Sequence, residues 1–242
     1  MMETQPQQEI AAPTGRFAKW AIGIFFLAFV IRLIHLLQIR HEDFFTILLG
    51  DGQRYNEWAL QIAAGDWFGS DVFYQAPLYP YFLGIVHAIF GDSLMMARVV
   101  QIILGSIVCV LVADAGRRFF SRKAGIIAGV GMALYAPSIF FDGLIQKSVL
   151  DGIFIALILW QMSRINERPN RVRCWLGLGM ALGCLILTRE NAMLFIPALL
   201  IWLVLRVKPE NRLRLTLSGS LILGVAIILL PVATRNKVVG GE

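Results

Sequence analysis

The chain has 242 residues, 57% of them hydrophobic and 16% charged, with a mean hydropathy of +0.69. Soluble domains carry about 45–50% apolar and about 25% charged residues, so the composition excludes a water-soluble domain and fits one helical bundle in lipid. A net charge of +6 could suit nucleic acid, but the basic residues punctuate apolar stretches instead of forming a patch, which reads as a topology signal and not a nucleic-acid site.

A helix rises about 1.5 Å per residue, so crossing the hydrocarbon takes about 20 apolar residues. By that measure spans are predicted near 18–38, 94–116, 124–141, 146–163, 174–188, 192–205 and 215–233. The first fifteen residues are polar, the span behind them is too long for a signal-peptide core, and no small-residue cleavage site follows Leu37. An uncleaved first helix behind a tail of residues 1–17 is expected. Within it, Arg32 and His35 are placed to pair with a neighbouring helix rather than to touch substrate.

The long connection from 39 to 93 follows. Asp51 is placed to cap a helix running to about Ala64, with Gly65 as its stop. Tyr55, Trp58, Ala59 and Ile62 recur at helical spacing and give that helix one apolar stripe. Leu78 to Phe90 is also apolar, but Pro77 and Pro80 open it and Gly91 closes it, which reads as a helix lying in the interface, with Tyr79, Tyr81 and His87 at headgroup depth. Further on, the Gly125/Gly129 and Gly179/Gly183 pairs would let helices pack closely. The fifth and sixth spans are short, are separated only by Arg189, Glu190 and Asn191, and read as a tight hairpin.

Orientation follows from charge. Arg16 and Lys19 open the first span. Arg117, Arg118, Arg122 and Lys123 follow the second; Arg164, Arg168, Arg171 and Arg173 the fourth; Arg206, Lys208, Arg212 and Arg214 the sixth. Fourteen of the 22 lysines and arginines thus fall on one side if every stretch crosses once. The positive-inside rule then sets the amino terminus in the cytoplasm and the 39–93 loop outside. The fold class expected is all-α: a polytopic transmembrane bundle of about seven spans, with amphipathic interfacial helices in its first outer loop.

On that outer side lie Asp51, Gln75, Arg98 at the mouth of the second span, Asp142 and Lys147 between the third and fourth, and Arg189 between the fifth and sixth. One base and several cations could face a lipid phosphate there. Plainer roles remain open for each. Asp51 and Asp142 could cap helices, Arg98 and Arg189 could snorkel to headgroups, and Lys147 could balance Asp142 or Asp151. Cys109, Cys174 and Cys184 share no metal-ligand or disulfide pattern. Glu42-Asp43 could bind a divalent ion, but no spacing requires it, so no cofactor or metal is indicated.

The order of these features is a cytoplasmic end, one span, an outer loop with an Asp, a Pro-Leu-Tyr-Pro segment ending in Phe-Gly, an Ala-Arg opening the second span, and a later Leu-Thr-Arg. It resembles the GT-C glycosyltransferases, specifically the dolichyl-phosphate-mannose-protein mannosyltransferase-like bacterial group that includes the aminoarabinose transferases of lipid A. The resemblance covers roughly residues 16–242. It implies a single GT-C-like transmembrane domain in the bacterial inner membrane, moving a sugar from a polyprenyl-phosphate carrier to a hydroxyl of a lipid, glycan or protein on the outer face, with inversion. Asp51 would be the general base. Arg98, Lys147 and Arg189 would hold the lipid-linked phosphate, with Asp142, Tyr55 and Gln75 completing the substrate site. The family carries further spans beyond the point where this sequence stops at Gly240-Gly241-Glu242, so either an amino-terminal portion of a longer relative or a naturally shortened relative is expected. A non-catalytic membrane subunit or scaffold is the alternative, and a transporter is disfavoured because the polar residues crowd the outer ends rather than the midplane.

Overall fold

The computed structural model describes residues 14–207 and 211–241, with side chains from Phe17. Most of the tail expected in the cytoplasm therefore lies outside the described residues, as does Lys208. The described residues are all-helical: α1 (Thr14–Ile39), α2 (Asp43–Thr46), α3 (Asp51–Ala63), α4 (Leu78–Phe90), α5 (Leu94–Phe119), α6 (Arg122–Ala133), α7 (Ala136–Asp142), α8 (Ser148–Glu167), α9 (Val172–Ile186), a 3₁₀ turn (Glu190–Leu194), α10 (Phe195–Arg206) and α11 (Asn211–Gly240).

Among the described residues, four helices are long and apolar enough to cross a membrane: α1, α5, α8 and α11. The predicted third span is instead a pair, α6 and α7, bent by 53°, and counting it once gives five spans. The bend has a local cause. Pro137, in the first turn of α7, has no N–H to continue the ladder from α6. The expected hairpin, α9 and α10, has 15 and 12 residues, about 22 and 18 Å of helix, short of the roughly 30 Å of hydrocarbon. Seven crossings are therefore not reached by helix length. The 13 residues of α4 make about 20 Å, and it packs on α3 rather than joining the bundle as a span.

Between helices in lipid the hydrophobic effect gives little, and close backbone approach does more. The glycine pairs serve this purpose. A Cβ on Gly179 would lie 2.1 Å from the Leu221 carbonyl of α11, and one on Gly125 would lie 2.4 Å from the Ala113 carbonyl of α5. Trp175, wholly buried, anchors the α8–α11 core, and its indole donates to the Pro169 carbonyl at 2.8 Å.

The basic turns and the 39–93 loop occupy opposite ends of α5 and α8. At one end, Arg118 bonds Glu167 at 2.7 Å, joining the close of α5 to the close of α8. At the other, a Cβ on Gly52 would sit 3.0 Å from the Ile145 carbonyl, so the start of α3 rests on the turn before α8. Arg235, near the end of α11, donates Nε to the Phe68 carbonyl at 2.7 Å and covers the Phe73 ring at 3.8 Å, fastening α11 to the same loop.

Candidate functional site

A cleft of about 440 Å³ opens at the loop end, lined by residues from four stretches of sequence: Asp51 and Tyr55, then Tyr74, Gln75 and Ala76, then Lys147, then Arg189, Glu190 and Asn191. Gly50, at φ 60°, turns the chain into α3 and is its N-cap. Asp51 is therefore the first residue inside the helix and not its cap, one position later than expected. The exposed carboxylate instead accepts a long bond from Gln75 Nε2 at 3.4 Å. Near the first turn of a helix a carboxylate is stabilised by the unpaired N–H groups, and it stays available to a ligand.

Tyr55 lies one turn further on. Its ring is 2% exposed and meets Tyr79 edge-on at 5.2 Å. Burial, then the carboxylates of Asp51 and Asp151, push its phenol pKa up, with Arg189 opposing them. It remains a neutral O–H donor at physiological pH. Tyr55, Ala59 and Ile62 form the buried stripe expected of α3, with Trp58 half-buried beside them.

The cations come from two helix ends. Lys147 precedes the first turn of α8 and forms no ion pair among the described residues. Its expected alternative partners are both engaged elsewhere: Asp142 by Arg32, and Asp151 by Arg189. Arg189 follows α9 and donates Nε to Asp151 Oδ2 at 2.5 Å. The loop bearing Gln75 is held beside it by the bond from the Leu78 N–H to the Leu187 carbonyl at 3.2 Å.

Arg98 and Asp142 lie outside this cleft. Arg98 is 1% exposed, donates Nε to the Gly143 carbonyl at 2.8 Å and stacks over Phe45 at 3.9 Å. It closes the carboxyl end of α7 and faces a separate cavity of about 170 Å³. Asp142 is buried and bonds Arg32 Nε at 2.7 Å, so Arg32 pairs across helices as expected, with a partner not foreseen. A Cβ on Gly105 would lie 2.1 Å from Asp142 Oδ2, so glycine there leaves room for the pair. Arg32 Nη1 also reaches the Ala133 carbonyl at 3.4 Å, freed by the α6–α7 bend.

Gln101, missed in the sequence, ties this frame together. Fully buried in α5, it donates to the Asp142 and Leu144 carbonyls at 2.9 and 2.6 Å and accepts from the Tyr79 hydroxyl at 2.7 Å. With Arg98 it pins the turn that carries Lys147. An uncharged amide in an apolar span was the available signal. Asp151, an acid one turn into the fourth span, is weighed in the sequence only as a charge balance for Lys147. Among the described residues no three histidine, cysteine or acidic side chains converge as metal ligands.

These features define a multi-pass helical membrane protein with two acids, Asp51 and Glu190, and two cations around one polar cleft at the end of its bundle. The family model described as dolichyl-phosphate-mannose-protein mannosyltransferase matches residues 74–235, and the chain belongs to that family. It is also similar to undecaprenyl phosphate-alpha-4-amino-4-deoxy-L-arabinose arabinosyl transferase 2 of Pseudomonas fluorescens, 24% identical over 200 residues, covering 78% of this chain and 33% of that protein. The chain thus spans about a third of that relative's length. No solved structure matches. The resemblance read from loop order is borne out at the level of the family and of the aminoarabinose-transferase-like group. Gln75, Lys147 and Arg189 lie within the matched residues, whereas Asp51 and Tyr55 precede them.

Proposed function

We propose that this protein is a membrane glycosyltransferase that moves a sugar from a polyprenyl-phosphate carrier to an acceptor hydroxyl, at the outer face of the bacterial inner membrane and with inversion. One observation carries this reading. Asp51, Tyr55, Gln75, Lys147 and Arg189, spread over 139 residue numbers, line one cleft, which brings the Asp51 carboxylate together with both cations.

In this reading Asp51 takes the proton of the acceptor hydroxyl as its oxygen bonds to the anomeric carbon. The bond from that carbon to the carrier phosphate breaks, and its electron pair leaves with the phosphate. The donor is a phosphodiester with one negative charge, and the departing monoester gains a second. Lys147 and Arg189 therefore hold the leaving group more strongly than the ground state, the condition for lowering the barrier. Tyr55 and Gln75 donate to sugar or phosphate oxygens. Arg98 and Asp142 act indirectly, through the turn that carries Lys147.

The test is direct. The purified protein is reconstituted in liposomes with a polyprenyl-phosphate donor labelled in its sugar, together with membrane lipid, glycan and protein acceptors. Label is expected to leave the carrier and appear in an acceptor fraction as polyprenyl phosphate accumulates. If label stays on the carrier while the protein remains folded, the chain is a non-catalytic membrane subunit.

A further inference from the structure

The carboxylate beneath Arg189 has no place in the chemistry above, yet it is the better buried half of the pair. The side chain of Asp151 is 8% exposed and that of Arg189 is 59% exposed. Oδ2 accepts from Arg189 Nε, whereas Oδ1 is buried and, among the described residues, has no hydrogen-bond partner. Burying a carboxylate is costly unless it is paired, and the pairing here falls to Arg189.

The geometry suggests a task. Asp151 lies four residues after Lys147, and its backbone N–H bonds the Lys147 carbonyl at 3.1 Å. The next turns of α8 are fixed by buried Val149, Leu150 and Ile153. Arg189 emerges from the end of a different helix, its N–H on the Leu185 carbonyl at 2.7 Å. The ion pair is thus the tie that sets the second cation at a fixed distance from the first. It uses only Nε, so among the described residues both Nη groups remain for a ligand.

We propose that Asp151 is a positioning residue for the phosphate site, presetting Arg189 beside Lys147 so that its Nη groups meet the carrier phosphate. This rests on the transferase reading and adds a residue to it. A long arginine held in its bound orientation loses less freedom on binding than one free to rotate.

The sign of one substitution separates this role from simple charge balance. Removing an acid next to an anion site should tighten anion binding if only charge matters. It should weaken binding if the acid positions the arginine. Affinity for undecaprenyl phosphate is measured with the full chain in nanodiscs. Asp151→Ala is expected to weaken it about tenfold, and Asp151→Asn, whose amide oxygen still accepts from Nε, by no more than about threefold. Arg189→Ala should weaken it as well, and adding Asp151→Ala to that variant should change little. Should Asp151→Ala fail to insert, nitrogen-detected spectra serve instead. A protected Nε–H, identified by its loss in Arg189→Lys, is expected in the unaltered protein, and its absence overturns the proposal. So does an Asp151→Ala variant that binds as tightly as the parent, or more tightly, while Arg189→Ala binds weakly; the transferase reading survives that result. If Arg189→Ala and Lys147→Ala both bind like the parent, the phosphate site is elsewhere and both readings fall.

Discussion

Asp51→Asn is expected to lower sugar transfer by about 10²–10⁴-fold, the usual worth of a positioned general base, while the protein inserts and melts as before. The second half of that expectation comes from the geometry. Gly50, not Asp51, caps α3, and among the described residues the carboxylate's hydrogen bond is the long contact with Gln75 at 3.4 Å. The substitution therefore removes a base without removing a structural bond. It also takes a negative charge from beside a site proposed to bind phosphate, so donor affinity should hold or improve as turnover collapses. This split, lower turnover with equal or tighter donor binding, marks an interaction made only in the transition state. Transfer rate and donor affinity measured on the same reconstituted protein decide it. A rate within about threefold of the parent would remove Asp51 from the role of base.

The largest effect on stability is expected at Arg32 and Asp142. Their side chains are 0% and 6% exposed and meet at 2.7 Å within the bundle. Deleting one partner leaves the other as an uncompensated charge, which costs about 3–5 kcal/mol in a buried setting. Arg32→Met or Asp142→Leu alone should lower the melting midpoint in detergent by on the order of 10 °C and reduce accumulation in the membrane. Together the two substitutions remove both charges, and much of the loss should return. Strict additivity of the two single effects would show that the pair does not act as a unit.

The fold was readable wherever a signal was local. Composition, the 3.6-residue stripe of α3, Pro77 before α4 with Pro80 in its first turn, and the glycine behind it each specify a helix or its limit without reference to the rest of the chain. Asp51 was placed one position early because Asp and Gly are both acceptable N-caps, and only the backbone angle at Gly50 separates them. Helix length alone leaves α9 and α10, at 15 and 12 residues, short of a full crossing, which hydropathy misses because it counts residues and says nothing of where a helix stops.

The site was partly readable for a similar reason. Charge patterning sorts residues to one end of a bundle, and that was enough to gather Asp51, Gln75, Lys147 and Arg189. It cannot say which way a side chain points from its helix. Arg98 turns toward the carbonyls at the end of α7, and Asp142 turns inward to an arginine 110 residues away. Both directions depend on how α1, α5 and α7 pack, as does the space left by Gly105.

For Asp51 to meet a donor in the outer leaflet, the cleft must open on the side of the membrane opposite the basic turns. Single cysteines at two exposed positions test it: Gln53→Cys beside Asp51, and Phe120→Cys, whose parent side chain is 82% exposed in the first basic turn. The chain's own Cys109 and Cys174 are buried, and Cys184 is half-buried. In intact cells with a permeable outer envelope, a membrane-impermeant maleimide should label the cysteine at position 53 at once, and the one at position 120 only after the inner membrane is broken. The opposite order of labelling would place Asp51 in the cytoplasm, away from any donor presented at the outer leaflet.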